Sequence, residues 1–319
     1  MTNTSKVDLV GVGLNATDTV IPLPHFPVAG SKVEFGELKT LPGGQVASTV
    51  VACQQWGLST RYVGKIGDDS AASLHRSEFD RLGVEAHLLT VPNVTSQQSI
   101  ILVDRDGERT VLHRHDDALA LHPEDLQRDW IASARALHVD GWDTAAATQA
   151  AVWAREAGIP VIADLDEIYP GLDQLLEKID YAIVSRDFPT RLMQEPDLGT
   201  ALRLMHKRYG NTLTAATLGH EGVLVYDGSQ MHHTNAYRVP VADTTGAGDI
   251  FHAGFIYGLL QGWPLDRQLD FACAAAALNC TAVGARGGIK TVDEIQRLIA
   301  TGAHYPSDFA IPTEDSAAV

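Results

Sequence analysis

The sequence predicts an α/β fold, with a central mostly parallel sheet, helices on both faces and a small β-sheet appended to it. Three observations carry this prediction. Short β-branched runs alternate with helical patterns along most of the chain, as they do where parallel strands are joined by crossover helices. Two segments break that rhythm and read as extended chain, and the last third closes on helices. At 319 residues, 45% hydrophobic and 20% charged, the chain is long and apolar enough for one large domain, here taken as residues 1–319.

Strands are expected at Val7–Val12, Thr60–Val63, Ala136–Val139, Val161–Ala163, Tyr181–Val184 and Thr212–Thr217. Each is a short apolar run suited to burial on both faces. Helices are expected at Val46–Trp56, Ser70–Leu82, Thr144–Ala157, Leu172–Glu177 and Leu198–Tyr209. The first interruption, Thr19–Leu41, has no helical period and contains Pro22, Pro24 and Pro27. The second, Ser96–His113, has two alternating runs, Ser99–Asp104 and Glu108–His113, around Asp106-Gly107, a strong hairpin signal. Together, about residues 18–41 and 96–115 are expected to form one β layer that acts as a lid. The closing helices are expected at Gly248–Gln261, Asp266–Thr281 and Thr291–Ala300, followed by an acidic tail, 303–319, that is loosely held.

Lys and Arg number 24 against 40 Asp and Glu, a formal net charge of −16. Counterion release therefore does not favour nucleic acid, nor does charge favour an anionic membrane. Three cysteines without a C-x-x-C pair argue against a disulfide framework or a zinc site. A polar start and the lack of any span-length apolar run suggest a cytoplasmic protein.

Gly11-Val12-Gly13-Leu14-Asn15-Ala16 formally fits the dinucleotide fingerprint. That fingerprint needs a helix to open inside it, and the prolines that follow Asp18 forbid one. The glycines instead let a strand end approach a ligand, with Asp18 either at the rim or shaping a turn. No Walker A loop is present. The strongest candidate is Asp243-Thr244-Thr245-Gly246-Ala247-Gly248-Asp249, which opens a helical run. Small residues let N–H groups point into one concavity, and the helix N-terminus adds unpaired donors and its positive dipole end. This suits a phosphoryl group in transit. Asp249, in the first turn, can take a proton from an attacking hydroxyl.

That seven-residue string resembles the C-terminal signature of the ribokinase-like (PfkB) carbohydrate kinases. Pro42-Gly43-Gly44 and Gly64-Lys65-Ile66-Gly67-Asp68-Asp69 resemble the family's N-terminal signature, and Thr217-Leu218-Gly219-His220-Glu221-Gly222 its nucleotide loop. Gly284 with Gly287-Gly288 resembles the loop that closes the adenine side. The resemblance implies a ribokinase-like fold and transfer of the ATP γ-phosphoryl group to a sugar hydroxyl, with Mg²⁺. Asp249 would be the base, and the backbone of Gly246, Ala247 and Gly248 the anion hole. Asp18, Gly43, Gly44, Ser48, Arg109 and Asp140 would border the sugar. Thr217, Gly219, Gly222, Gly248, Cys273 and Gly284 would line the nucleotide site. A monovalent cation, K⁺, would sit near Asp243 and Thr245.

The family's N-x-x-E motif would fall at Ser185–Phe188, and both key residues are missing. Ketohexokinase-like members show a similar loss. A nucleoside, phosphosugar, sulfosugar or sugar acid is an alternative acceptor, and a non-catalytic sugar sensor an alternative class. His113-Arg114-His115 and His232-His233 have spacing poor for chelation. Within Ser99–Asp104, Ile101 and Val103 share one face and Ile100 and Leu102 the other. Both faces are thus apolar, and ribokinase-like dimers clasp two lids together, so a homodimer through the lid is expected.

Overall fold

The computed structural model describes residues 5–105 and 107–306. In chain order the first elements are β1 (Val7–Val12), β2 (Ala16–Pro22), β3 (Lys39–Gly43), α1 (Gln45–Gln55), β4 (Thr60–Ile66), α2 (Ser70–Leu82) and β5 (Glu85–Thr90). The hairpin β6 (Gln98–Val103) and β7 (Arg109–Arg114) follows. Next come α3 (Arg128–Ala132), β8 (Ala134–Asp140), α4 (Thr144–Glu156), β9 (Val161–Leu165), α5 (Leu172–Leu176), β10 (Tyr181–Ser185), α6 (Phe188–Met193) and α7 (Leu198–Tyr209). The last are β11 (Leu213–Thr217), β12 (Val223–Tyr226), β13 (Met231–Thr234), α8 (Ala247–Leu260), α9 (Leu265–Asn279) and α10 (Val292–Thr301).

Among the described residues a nine-stranded sheet has the order β13-β12-β11-β10-β9-β8-β1-β4-β5. It is parallel from β11 to β5, and β12 and β13 add an antiparallel edge. From β1 the chain moves first to β4 and β5, then returns to β8 on the other side. The order therefore reverses between β1 and β8, and ligands of open α/β sheets bind at such a point, outside the carboxyl ends of the strands.

Alternate strand residues feed two apolar layers. Val10, Leu137 and Val139 pack toward α4, α5 and α7, whereas Leu9 and Ala136 pack toward α1, α8 and α9. Helices α8 and α9 pack very closely. A Cβ placed on Gly254 would lie 2.6 Å from the Ala272 Cα, which is why the facing side of α9 is rich in alanine. Helix α2 opens at Asp69, whose carboxylate accepts from the Ala72 N–H at 3.0 Å, and stops at Gly83 in the left-handed region.

A separate four-stranded sheet has the order β3-β2-β6-β7. Both interruptions of the βα rhythm thus enter one small sheet, as expected, although residues 23–38 between β2 and β3 are not strand. Asp106 of the expected turn lies outside the described residues. One face of this sheet is dry, with Val20, Ile101 and Val103 buried.

The expected strands and helices form within a few residues of their predicted bounds. Strands β5, β12 and β13 were not predicted; β5 and β13 are edge strands without a continuous apolar run, whereas β12, Val223–Tyr226, is a short apolar run that was overlooked. The loosely held tail is corrected at its start. The Arg238 N–H donates to the Ala303 carbonyl at 2.8 Å, and the Tyr305 N–H to the Ala236 carbonyl at 2.9 Å. Residues 307–319 of that expectation lie outside the described residues. Among the described residues no helix is long and apolar enough to cross a membrane.

Candidate active site

The loop 243–246 and the first turn of α8 stand beside the carboxyl ends of the sheet. Asp243 is fully buried and braces the loop. Its Oδ1 accepts from the Thr245 N–H at 2.8 Å and the Thr245 hydroxyl at 2.6 Å, and its Oδ2 accepts from the Gly284 N–H at 2.8 Å. Gly246 then turns the chain into α8 at φ 75°, against Ala285, whose carbonyl oxygen would lie 2.2 Å from any Cβ there. Only glycine fits both conditions. A Cβ on Gly248 would meet nothing within 4 Å, so the space over this residue is open. The Ala247 N–H turns back to the Thr244 carbonyl at 3.2 Å, which withdraws one donor from the expected anion hole.

Asp249 is half-buried beside that opening. Burial pushes its carboxyl up to about 6; Arg109, His252 and Arg286 oppose the shift and Asp166 adds to it. Asp18, on β2, is buried, and burial pushes its carboxyl up to about 7, with Arg286 opposing and Asp249 adding. Two carboxyl groups from opposite ends of the chain thus share one electrostatic environment. Gly43 and Gly44 let the turn into α1 seat against β2. A Cβ on Gly43 would lie 1.9 Å from the Asp18 Oδ2, and Gly44 has φ 93°.

Several expected residues turn out to hold other groups. Asp140 does not face a ligand. It is 1% exposed, and its carboxylate accepts from the Leu14 N–H at 2.8 Å and the Trp142 N–H at 3.1 Å, fixing the turn after β1. Ser48 is likewise drawn away, its hydroxyl accepting from Arg286 Nε at 3.1 Å. Gly284 lies behind the loop as the Asp243 donor and does not line the cleft around Thr217 and Cys273. Arg109 reaches the Thr244 carbonyl, and the Thr244 hydroxyl donates to the Gly107 carbonyl at 3.1 Å. The hairpin of the small sheet therefore touches the anion loop directly.

One cleft reaches this loop at Thr244, Ala247 and Gly248, and a second lies on the far side of β2, lined by other residues. The first, of about 210 Å³, brings together Thr217, Gly219, Gly222, Cys273 and Gly248 with Phe251 and Tyr305. The second, of about 200 Å³, lies between the two sheets against Gln45, Ser99, His113, Trp142, Asp166 and Tyr169. His113 and His115 both meet Trp142 edge-on, with centroids 5.6 and 5.2 Å apart, and His113 with Trp142 lines the second cleft.

Sequence reasoning missed Arg286. Its side chain is 5% exposed and pairs with Glu78 while donating to the Gly43 carbonyl at 2.7 Å. It fastens the loop after α9 to the turn before α1, and its charge acts on both Asp18 and Asp249. Its place among glycines was the one available signal.

The profile of the pfkB family carbohydrate kinases matches residues 7–292. The chain belongs to that family. The PfkB assignment agrees with relatives and solved structures. The chain is 26% identical over 296 residues to the ribokinase of Bacillus subtilis (strain 168), covering 90% of this chain and 98% of that protein. It is 29% identical over 288 residues to the fructokinase of Klebsiella pneumoniae, covering 82% and 93%. A crystal structure of a putative ribokinase from Agrobacterium tumefaciens superposes with a TM-score of 0.85 at 26% identity, covering 93% and 98%. The Arabidopsis thaliana ribokinase complexed with ribose and ATP shares the fold, with a TM-score of 0.76 at 23% identity and coverage of 93% and 99%. This PfkB chain is an ATP-dependent carbohydrate kinase with a ribokinase-like fold.

Proposed function

We propose that Asp249 is the general base that takes the proton of a primary sugar hydroxyl as that oxygen attacks the γ-phosphorus of ATP. The observation that carries this reading is the position of Asp249. It stands in the first turn of α8, beside the Gly246–Gly248 opening, with its carboxyl raised toward the working range of a base. The N–H groups of that turn and the Arg109 guanidinium stabilise charge on the moving phosphoryl group. The adenine lies in the cleft of Phe251, Cys273 and Tyr305. The sugar lies in the other cleft, with hydroxyls on Asp18 and its ring against Trp142 and Tyr169. The small sheet is the lid. Its hairpin, joined to Thr244, excludes water that would otherwise accept the phosphoryl group.

Among the described residues no three His, Cys, Asp or Glu side chains converge on one point. Mg²⁺ would then be held chiefly by phosphate oxygens and water, its usual ligands. The Asp243 carboxylate is a buried anion whose partners are N–H and O–H donors. A monovalent cation beside it fits that charge. Turnover in potassium exceeding turnover in a bulky organic cation at equal ionic strength would support the site, and equal rates would remove it.

The sugar is uncharged in this reading. Of the cations that could serve an anionic substrate, Arg114 pairs with Asp116 at 3.1 Å and Arg109 is engaged by Thr244. The cleft itself carries Asp166, Glu167 and the amides of Gln45, Gln97 and Gln98. A thermal-shift panel of neutral sugars, sugar acids and sugar phosphates, with a non-hydrolysable ATP analogue present, tests this. Stabilisation by a neutral sugar that is then phosphorylated is expected. Stabilisation by sugar acids or phosphates alone would contradict the neutral assignment.

A further inference from the structure

Behind Asp249 lies a buried imidazole that the reaction described above does not use. His252, three residues along α8, is 1% exposed. Its Nδ1 is 2.8 Å from the Gly248 carbonyl oxygen, and its Nε2 is 3.1 Å from the Ile183 carbonyl oxygen in β10. Both partners are acceptors. A neutral ring has one N–H and one bare nitrogen, so one of these contacts would set lone pair against lone pair. Only the imidazolium donates to both.

A carboxyl group that can serve as counter-charge is in place, although burial, Asp249 and Asp166 push it well above its ordinary range. Asp164 in β9, also buried, has Oδ2 3.5 Å from the same Nδ1. On its other side His252 meets the ring of His138, with centroids 5.5 Å apart. His138 Nδ1 donates to the Ile162 carbonyl at 3.2 Å, and its Nε2 has no hydrogen-bond partner. His138 is therefore the neutral ring of the pair.

We propose that His252 is a positioning residue for phosphoryl transfer: as an imidazolium paired with Asp164, it ties the first turn of α8 to the sheet and holds Asp249 as a carboxylate. The proposal rests on Asp249 being the base. The charged groups around Asp249 are Arg109 from β7, Arg286 from the loop after α9, Asp18 from β2, Asp164 and Asp166 from β9 and its end, and His252 from its own helix. Those around His252 are Asp164, Asp249 and His138. Burial outweighs the Gly248, Ile183 and Ala163 carbonyls and Asp249, which oppose it, and holds the His252 ring below its ordinary value; the proposal stands on the two carbonyl contacts of the ring. Without the imidazolium, Asp164 and Asp249 would face each other as like charges, which drives protons onto carboxylates.

Two measurements test this. The first is ¹⁵N NMR of the full chain labelled at histidine, with His252→Asn to assign the signal. Both ring nitrogens of His252 protonated at neutral pH is the expected result, and one bare nitrogen overturns the proposal. This readout does not depend on catalysis. The second is the acid limb of kcat. His252→Asn should move it to higher pH by on the order of one unit, and Asp164→Asn should move it to lower pH, with KM for ATP little changed in both. A limb that stays in place, or moves the same way in both variants, overturns the proposal. If His252→Asn fails to fold, His252→Gln supplies the comparison, and the NMR signal of the wild-type chain still decides. Full activity of Asp249→Asn would instead overturn the base assignment, whatever the state of His252.

Discussion

Asp249 and Asp18 are both raised by burial, yet the roles proposed for them predict different kinetics. A base with a carboxyl near 6 must be ionised to work, so kcat should be full above that value and fall as pH drops through it. Asp249→Asn keeps the shape and removes the base, and a loss in kcat of at least about 10²-fold is expected with ATP binding retained by calorimetry. Asp18→Ala should instead raise KM for the sugar, by roughly 1–3 kcal/mol of lost binding, and leave KM for ATP unchanged. Equal effects on both substrates would return Asp18 to a turn-shaping role. Asp249 was legible in the sequence because its neighbours in the chain are also its neighbours in space. Asp140 was misread for the opposite reason. A carboxylate at a strand end looks the same in sequence whether it faces a ligand or, as here, the Leu14 and Trp142 N–H groups. Arg286 and His252 were illegible because Gly43 and Ile183, which they hold, are distant in the chain.

At the scale of elements, the anion loop separates two kinds of glycine. Gly246 is needed for the fold of the loop, since its left-handed φ and the Ala285 carbonyl leave no room for a side chain. Gly246→Ala should lower Tm and activity together. Gly248 faces open space, so Gly248→Val should fold with nearly unchanged Tm and lose phosphoryl transfer, the side chain filling the place of the phosphoryl group. A Gly248→Val enzyme with normal kcat would leave the loop as a helix start and nothing more. The central strands and long helices were legible because their apolar runs are long enough to declare a period. The edge strands β5 and β13 were not, because their partners rather than their own composition make them strands.

At the scale of the whole molecule, the small sheet has a dry inner face and an apolar outer one. Ile100 is 44% exposed and Leu112, its cross-strand partner, 55%, with Phe35 also exposed. We propose that a second copy covers this face, each lid bordering the other's sugar cleft. Ile100→Glu or Leu112→Glu should yield a monomer by light scattering, with activity reduced alongside. A wild-type monomer at micromolar concentration would remove the clasp and leave the lid.

The claim on which the rest depends is transfer of the γ-phosphoryl group to a sugar hydroxyl with Asp249 as base. Its most direct test is incubation of the chain with [γ-³²P]ATP, Mg²⁺ and a sugar that stabilises it, comparing wild type with Asp249→Asn. The account predicts label on the sugar with stoichiometric ADP for wild type and almost none for the variant. Label transferred equally well by Asp249→Asn would contradict it.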